Sequence, residues 1–321
     1  MLPTNDKKFG IQSDVEKYIW ITYLVFVLLS SLIGDTVILI ASTRFSAFKL
    51  NKFIVVIIQH IACCDMIASL AFTLPSITSM VADRWVLGGF SVYLERFLVH
   101  FSFPLTSVFV CVLTTSKLLL LQCPHRTRFW AEKEAHLVCI ICWVLAGFYS
   151  GLKLLHYKHN VYFNYATYDI DYNSTAVGDN KLFTTVSDSI YAIMVVVVMV
   201  TTACTLRFLF EARTVARRAK SGTTMRWQGL LTVVLTAVVY CVSTIPWTVH
   251  GITEAFLTDP PKYFNTTLKR AAEYLTMLSV ISNFYIYCVT VPTFRSFVLS
   301  PFVALTSSVS PSQSQDVSQG T

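Results

Sequence analysis

The stretch 18-YIWITYLVFVLLSSLIGDTVILIAST-43 decides the fold, because it is long, apolar and interrupted by a single charged side chain, Asp35. About 20 apolar residues in a helix cross the roughly 30 Å hydrocarbon core of a bilayer. Six further runs reach this length, at 53–80, 91–122, 135–156, 183–212, 226–257 and 270–291. Only 13% of all residues are charged, whereas a soluble domain carries about a quarter. The chain is therefore predicted to be an all-α, seven-transmembrane helix bundle.

The charges in the loops between the apolar runs predict how this bundle is oriented in the membrane. Placing the N-terminus outside gives the cytoplasmic loops a clear excess of Lys and Arg over acids, most of all in 207–226. Such loops face the cytoplasm. The two N-x-S/T sequons, at Asn173 and Asn265, then both lie outside, where N-glycans are attached. We expect a glycosylated plasma-membrane protein with an extracellular N-terminus and a cytoplasmic C-terminus.

Three segments flank the predicted bundle, which covers 18–291. Residues 1–17 are charged and lack an apolar core, so they are expected to form an extracellular N-terminus without a cleavable signal peptide. Residues 292–305 combine apolar and basic side chains, which predicts a short amphipathic helix on the inner leaflet. The Ser- and Gln-rich residues 306–321 predict a disordered cytoplasmic tail.

The composition argues against several classes of function. The 9 Cys lie mostly within apolar runs, and no C-x-x-C pair recurs, so neither a disulfide framework nor a zinc site is expected. No metalloprotease motif, nucleophile elbow or Gly-rich phosphate loop occurs, so no enzyme is expected. The net charge of +7 lies in the loops of a membrane protein, which points to membrane lipid and away from nucleic acid as a partner.

Two carboxylates interrupt the apolar spans at similar depth, Asp35 in the first and Asp65 in the second. Ionisable groups at such depth are costly and usually mark function. Neighbouring carboxylates repel, so either one takes a proton or a cation lies between them. Thr106, Ser279 and Asn283 add neutral oxygens that would suit a sodium ion, the one candidate cofactor. The alternative is a hydrogen-bonded polar cluster whose only role is to hold the helices together.

A second set of polar residues lies toward the outer ends of the spans. Together these residues are predicted to line a ligand cavity between spans three, five, six and seven, although each one alone also fits an interfacial position. The set comprises Glu95, His100, Asp188, His250, Glu254 and Glu273.

Short motifs follow one another along the spans in the order seen in rhodopsin-like (class A) G-protein-coupled receptors. Residues 33–37 resemble G-N-x-x-V with Asp for Asn, and residues 61–65 resemble L-A-x-x-D. Trp85–Gly88 resembles W-x-F-G, and Asn283–Tyr287 stands in the place of N-P-x-x-Y. Further matches are Ser116-Lys117-Leu118 for D-R-Y, the central Trp143 of span four and Ser243–Pro246 for C-W-x-P. The resemblance covers about residues 18–300.

The resemblance implies a divergent receptor that transduces an extracellular ligand signal to heterotrimeric G-proteins. It leaves the class of ligand open. Val99 and Met277 replace the Asp of amine receptors and the Lys of opsins, so neither an amine nor covalent retinal is expected at these ligand-binding positions. G-protein contacts are expected from Ser116, Lys117, Leu118, Arg217, Arg218 and Arg226.

Four departures from the family pattern fall at positions that the family uses to hold or switch its conformation. Val92 stands in the place of the outer Cys, and residues 157–182 hold no Cys either, so that loop is either held by packing alone or mobile, and its aromatic content favours packing. Lys117 and Arg226 would repel where the family has an ionic lock. Thr244 replaces the span-six Trp, and Phe284 replaces the span-seven Pro. These changes leave two rivals open: a non-signalling seven-helix scaffold or receptor partner, and a transporter that uses the two carboxylates.

Overall fold

The computed structural model describes residues 14–43, 51–122, 132–157, 161–164, 169–172, 181–219, 224–256 and 262–309. Within these residues there are eight helices and one antiparallel hairpin. The helices are α1 (Asp14–Thr43), α2 (Lys52–Ala82), α3 (Gly89–Gln122), α4 (Glu132–Tyr157), α5 (Lys181–Ala219), α6 (Thr224–Phe256), α7 (Lys262–Thr290) and α8 (Pro292–Val309). The strands are β1 (Val161–Asn164) and β2 (Asp169–Tyr172). The prediction of a helical fold is confirmed, and the hairpin between α4 and α5 is added to it.

Six helices are long and apolar enough to cross a membrane. They are α1 to α6, with the spanning parts of α5 and α6 at Ser189–Phe208 and Leu230–Thr253. Lys269–Thr290 of α7 meets the same criteria only together with Pro292–Ser300 of α8, and a bend of 100° separates the two. The chain therefore has the architecture of a multi-pass membrane protein with six to seven candidate spans.

The predicted segment boundaries shift at both ends of the bundle. Helix α1 begins at Asp14, four residues before the predicted start at 18. Helix α8 continues to Val309, so the amphipathic helix does not end at 305 and the predicted tail cannot begin at 306. Residues 310–321 lie outside the described part of the chain.

The surface of the bundle is apolar, and its interior combines apolar packing with many buried polar groups. Phe148 on α4 is 68% exposed and Val200 on α5 is 55% exposed, whereas Asp65, Ser76 and Thr244 are buried. A soluble protein instead keeps its charged side chains almost always at the surface. Apolar side chains outward and polar groups paired inside are what a lipid solvent demands.

Polar contacts fix the ends of the first two helices. The side chain of Asn51 caps α2 by accepting a hydrogen bond from the backbone N–H of Phe53 at 2.8 Å. Beyond the last turn of α2, Asp83 takes a left-handed φ of 51°. The ammonium group of Lys17 on α1 lies 2.8 Å from the Asp83 carboxylate. At the same end, the guanidinium of Arg270 on α7 lies 2.6 Å from Glu16 of α1.

Helices α2 and α3 occupy the centre of the bundle. Helix α2 contacts α1, α3, α4 and α7, whereas α3 contacts α2, α4, α5 and α6. Contact between α1 and α7 closes the ring. A polar side chain on the inner face of α2 therefore lies within reach of several helices at once, and this arrangement positions the candidate site.

Helices α1 and α7 pack closely at Gly34. A Cβ added to Gly34 would lie 2.8 Å from the Cβ of Phe284, a distance that real Cβ contacts do not show. Phe284 stands where the family resemblance leads one to expect proline. Because Phe284 keeps its backbone N–H, α7 runs without interruption to Thr290.

We expect Gly34→Ala to destabilise the protein by about 1–3 kcal/mol, the usual cost of overpacking a tight contact. Gly151→Ala is the matched control, because a Cβ on Gly151 of α4 meets nothing within 4 Å. That substitution should leave the melting temperature unchanged or raise it, since Ala favours a helix over Gly by roughly 0.5–1 kcal/mol. Thermal unfolding of the purified protein in detergent measures both. Equal melting temperatures for the two variants would contradict the close contact.

Candidate functional site

Two buried carboxylates form the polar centre of the bundle. Asp35 on α1 is 1% exposed and Asp65 on α2 is fully buried. Ser31, one helical turn before Asp35, donates a hydrogen bond to Asp35 Oδ2 at 2.7 Å. The same hydroxyl lies 3.4 Å from the backbone carbonyl oxygen of Asp65. A single serine therefore connects the two acidic positions across the interface of α1 and α2.

The side chain of Asp65 receives hydrogen bonds from two further helices. Thr106 of α3 donates to Asp65 Oδ1 at 3.3 Å. Asn283 of α7 donates to Asp65 Oδ2 at 2.8 Å, across 218 residues of sequence. Four helices thus meet in one network, which we call the carboxylate site: Ser31, Asp35, Asp65, Thr106 and Asn283.

Four of the five residues predicted for a cation site lie in this network, and Ser279 does not bond to it. Ser279 is buried one turn before Asn283 on α7, and its hydroxyl donates to the carbonyl of Thr276 at 2.7 Å. Ser31 was missed by the prediction, although its position four residues before Asp35 places it on the same face of α1.

The carboxylate site offers oxygen atoms to a hard cation. Asn283 Oδ1 is buried and accepts no hydrogen bond, so an acceptor oxygen is left over beside Asp65. Two buried carboxylates also need compensation by a proton or a cation. Among the described residues no group of three or more His, Cys, Asp or Glu side chains could hold a metal ion. The donor set therefore fits an ion such as sodium, which accepts hydroxyl, amide and carboxylate oxygens, better than a transition metal.

Near the start of α3, Glu95 forms a buried ion pair with its neighbour Arg96. The guanidinium contacts the carboxylate through Nε at 2.7 Å and Nη2 at 2.9 Å. Only 3% of Glu95 and 6% of Arg96 are exposed. The sequence prediction included Glu95 and overlooked Arg96, so the charge presented here differs from that of a lone carboxylate.

The other predicted ligand residues are spread over several helices. Met277 of α7 is fully buried in an apolar cluster, and Val99 of α3 packs against that cluster. His250 of α6 is buried and stacks on Trp247, with ring centroids 5.9 Å apart. His100 and Glu273 are half-buried on α3 and α7. The side chains of Asp188 and Glu254 lie outside the described part of the structure.

One aromatic side chain of the hairpin packs inside the bundle. Phe163 of β1 is 1% exposed and belongs to the same buried cluster as Val92, Phe72 and Tyr274. Val92 holds the position where the resemblance leads one to expect a disulfide to this loop. Apolar packing therefore anchors the hairpin where the family would use a covalent bond.

At the opposite end of α3, Ser116 is buried and Lys117 and Leu118 are half-buried. The side chains of Arg217, Arg218 and Arg226 are outside the described part, so repulsion between Lys117 and Arg226 stays a prediction. Two hydroxyl pairs join helices near this end. Thr201 of α5 donates to Thr114 of α3 at 3.0 Å, and the hydroxyls of Thr232 on α6 and Thr290 on α7 are 2.8 Å apart.

Scans of the chain against protein-family models and against curated proteins give no match.

We expect Asn283→Ala to lower the free energy of unfolding by about 1.5–3 kcal/mol, because the variant removes a buried hydrogen bond to a carboxylate. Ser279→Ala is the matched control one turn earlier, since its hydroxyl bonds within its own helix and should cost less than about 1 kcal/mol. Thermal unfolding compares the two variants. If Ser279→Ala costs as much as Asn283→Ala, the network extends to Ser279.

We expect Phe163→Ala to destabilise the protein by about 3–5 kcal/mol, the range for emptying a buried Phe site, and to expose residues 157–182 to protease. Phe148→Ala, on the outer face of α4, is the control and should change neither property appreciably. Limited proteolysis with mass spectrometry locates the cuts. A hairpin that stays equally resistant in Phe163→Ala would exclude Phe163 as its anchor.

Proposed function

We propose that the chain is a divergent rhodopsin-like receptor that transduces an extracellular ligand signal to heterotrimeric G-proteins. The carboxylate site is the observation that carries this proposal. Asp35, Asp65 and Asn283 come from three separate motifs that resemble the family, and they converge on one hydrogen-bond network. Motifs that matched by chance would have no reason to meet in space.

The proposed topology has seven spans with the N-terminus outside. The seventh span is the part of α7 that precedes the 100° bend, and α8 then lies along the inner leaflet. Six spans with α7 outside the bilayer are disfavoured, because Met277, Val280 and Asn283 of α7 are buried among the other helices. A ligand would enter from the end that holds Glu95 and the hairpin.

Glycosylation tests this orientation. Protein made in mammalian cells should lose apparent mass when treated with an N-glycosidase, and Asn173→Gln combined with Asn265→Gln should abolish that loss. Asn160→Gln, which removes an Asn from the same loop without touching a sequon, is the control and should keep it. Surface-delivered protein without any N-glycan would contradict the outside placement of these loops.

Sodium at the carboxylate site is part of the proposal, because Asp65, Thr106 and Asn283 supply suitable oxygens around two acids. An ion that binds one conformation better than another shifts the balance between them. Basal G-protein activation should therefore change when sodium chloride is exchanged for choline chloride at equal ionic strength.

Asp65→Asn should remove this sodium dependence, since it removes one charge from the site. Asp83→Asn is the matched control, because the same exchange occurs at an exposed carboxylate and Asn tolerates the left-handed backbone there. G-protein activation in isolated membranes reports both variants. If sodium dependence persists in Asp65→Asn, sodium does not act through this site.

A second candidate function is a seven-helix partner protein that no longer couples to G-proteins. It is favoured by the inner end of α3, where Ser116 is buried and no ion pair or hydrogen bond of Lys117 is found within the described residues. Recruitment of engineered G-protein α-subunits of every class separates the two functions. Receptor coupling predicts recruitment of at least one class, basal or stimulated, and the partner function predicts none.

A further inference from the structure

Two histidine rings meet between α2 and α4, outside the carboxylate site. Nε2 of His60 on α2 lies 3.4 Å from Nδ1 of His136 on α4, and the ring centroids are 5.6 Å apart. On the other side of the His60 ring, the indole N–H of Trp143 on α4 donates to Nδ1 at 3.0 Å. Two hydrogen bonds thus join three rings, and we call Trp143, His60 and His136 the imidazole link.

The partners fix the protonation state of the imidazole link. An indole N–H can only donate, so Nδ1 of His60 must accept, and the proton of this neutral ring is on Nε2. The Nε2–H of His60 then donates to Nδ1 of His136, which must accept in turn. Both rings are therefore neutral, each with its proton on Nε2.

An added proton has no position that preserves both hydrogen bonds. On Nδ1 of His60 it would face the indole N–H of Trp143 across 3.0 Å. On Nδ1 of His136 it would face the N–H of His60 across 3.4 Å. Two donors then point at each other, so one hydrogen bond must break and the rings must move apart. An ordinary histidine takes up a proton near about pH 6.5, so this conflict arises in mild acid.

The surroundings hold His60 in place more firmly than His136. The ring of Phe109 on α3 lies 5.8 Å from that of His60, and Phe109 belongs to one buried apolar cluster with Ile57 and Ile61 of α2. Within the described residues, the side-chain hydrogen bonds of His60 are those of the imidazole link. Turning away would leave its ring nitrogens among apolar side chains, which is costly. His136 is half-buried in the second turn of α4, so it is the ring that moves.

A protonated His136 has an acceptor on its own helix. Glu132 lies one turn before His136, a spacing at which opposite charges meet on a helix surface. With the rings neutral, the Glu132 carboxylate lies 3.9 Å from Nζ of Lys52 on α2, and such an exposed pair is weak. Charging His136 therefore turns two side chains of α4 away from α2 and toward each other.

Few other charges bear on the two rings. The exposed cation and the exposed anion beside His136 have opposite signs and offset each other, and α3 presents the uncharged ring of Phe109. The remaining titratable side chains within one turn of either ring are one cation, one anion and three thiols: Lys133, Glu134, Cys63, Cys64 and Cys139.

We propose that the imidazole link is a proton-sensitive contact between α2 and α4. Neutral rings join the two helices, and a proton taken up by the pair releases His136 from His60 to pair with Glu132. The link lies near the ends at which both helices begin, about 6 Å along α4 and about 12 Å along α2, so protons reach it from the water at that face of the membrane. The inference goes beyond the proposed receptor function and does not depend on it.

Acid should lower the stability of the folded chain through this link. The unfolded chain takes up protons on both histidines without losing a contact, whereas the folded chain must break a hydrogen bond to do so. The unfolded state therefore binds more protons in mild acid, and folding stability falls as the pH is lowered. The contribution of the link is complete above about pH 7.5 and declines below about pH 6.5.

The first experiment compares the melting temperature of the full chain in lipid nanodiscs at pH 7.5 and pH 5.5, at constant ionic strength. In His136→Asn, the amide oxygen takes the place of Nδ1 and accepts from His60, but the side chain takes up no proton. Its melting temperature should therefore fall less on acidification than that of the wild type, by about 2 °C or more. His156→Asn makes the same exchange near the other end of α4 and is the matched control.

The control should fall on acidification as the wild type does. The proposal is overturned if His136→Asn falls as much as the wild type, or if His156→Asn reduces the fall equally. Because neither a ligand nor a G-protein is present, the outcome is independent of the receptor function.

The second experiment reads the protonation states directly. Solid-state NMR of the chain with isotope-labelled histidine in lipid distinguishes the two neutral forms of an imidazole from the cation, and the signals of the pair are those lost in His60→Gln and His136→Asn. At pH 7.5 both rings should be neutral with the proton on Nε2. At pH 5.5 the Nε2 signal of His60 should move as its acceptor is lost. A proton on Nδ1 of His60, or a charged ring at pH 7.5, would overturn the proposal.

Discussion

The hydrogen bond from Asn283 Nδ2 to Asp65 Oδ2, 2.8 Å long, joins the second and seventh helices at the centre of the bundle. Hydrocarbon offers no water to replace it, so separating these helices would leave Asp65 Oδ2 without this donor. The close packing of α1 against α7 serves the same contact. Gly34 precedes Asp35 and Phe284 follows Asn283, and the two helices approach at this pair. The small residue therefore allows α1 to pack closely against α7 beside the carboxylate site.

Sequence patterns pointed to four residues of the carboxylate site because charges within apolar runs are conspicuous. They pointed to fewer of the contacts at the hairpin end of the bundle, for physical reasons. Adjacent residues on a helix do not share a face, so the pairing of Glu95 with Arg96 could not be inferred from spacing. The aromatic content of the loop indicated packing, yet the hairpin register decides that Phe163 is the ring that enters.

Two neutral hydroxyl contacts join helices near the end of the bundle that holds Ser116 and Lys117. The Thr114–Thr201 and Thr232–Thr290 pairs join α3 to α5 and α6 to α7. A neutral hydrogen bond contributes about 0.5–1.5 kcal/mol and is insensitive to salt, unlike an exposed ion pair. Separating either pair of helices would therefore break a weak contact that does not depend on salt.

Helix α7 connects two of these regions. Asn283 of the carboxylate site and Thr290 of the hydroxyl pair with Thr232 lie on one helix that is uninterrupted from Lys262 to Thr290. With Phe284 in place of proline, this helix has no hinge at its middle. A displacement of α7 as a whole would have to break the hydrogen bond of Asn283 to Asp65 and disturb the tight contact of Phe284 with Gly34.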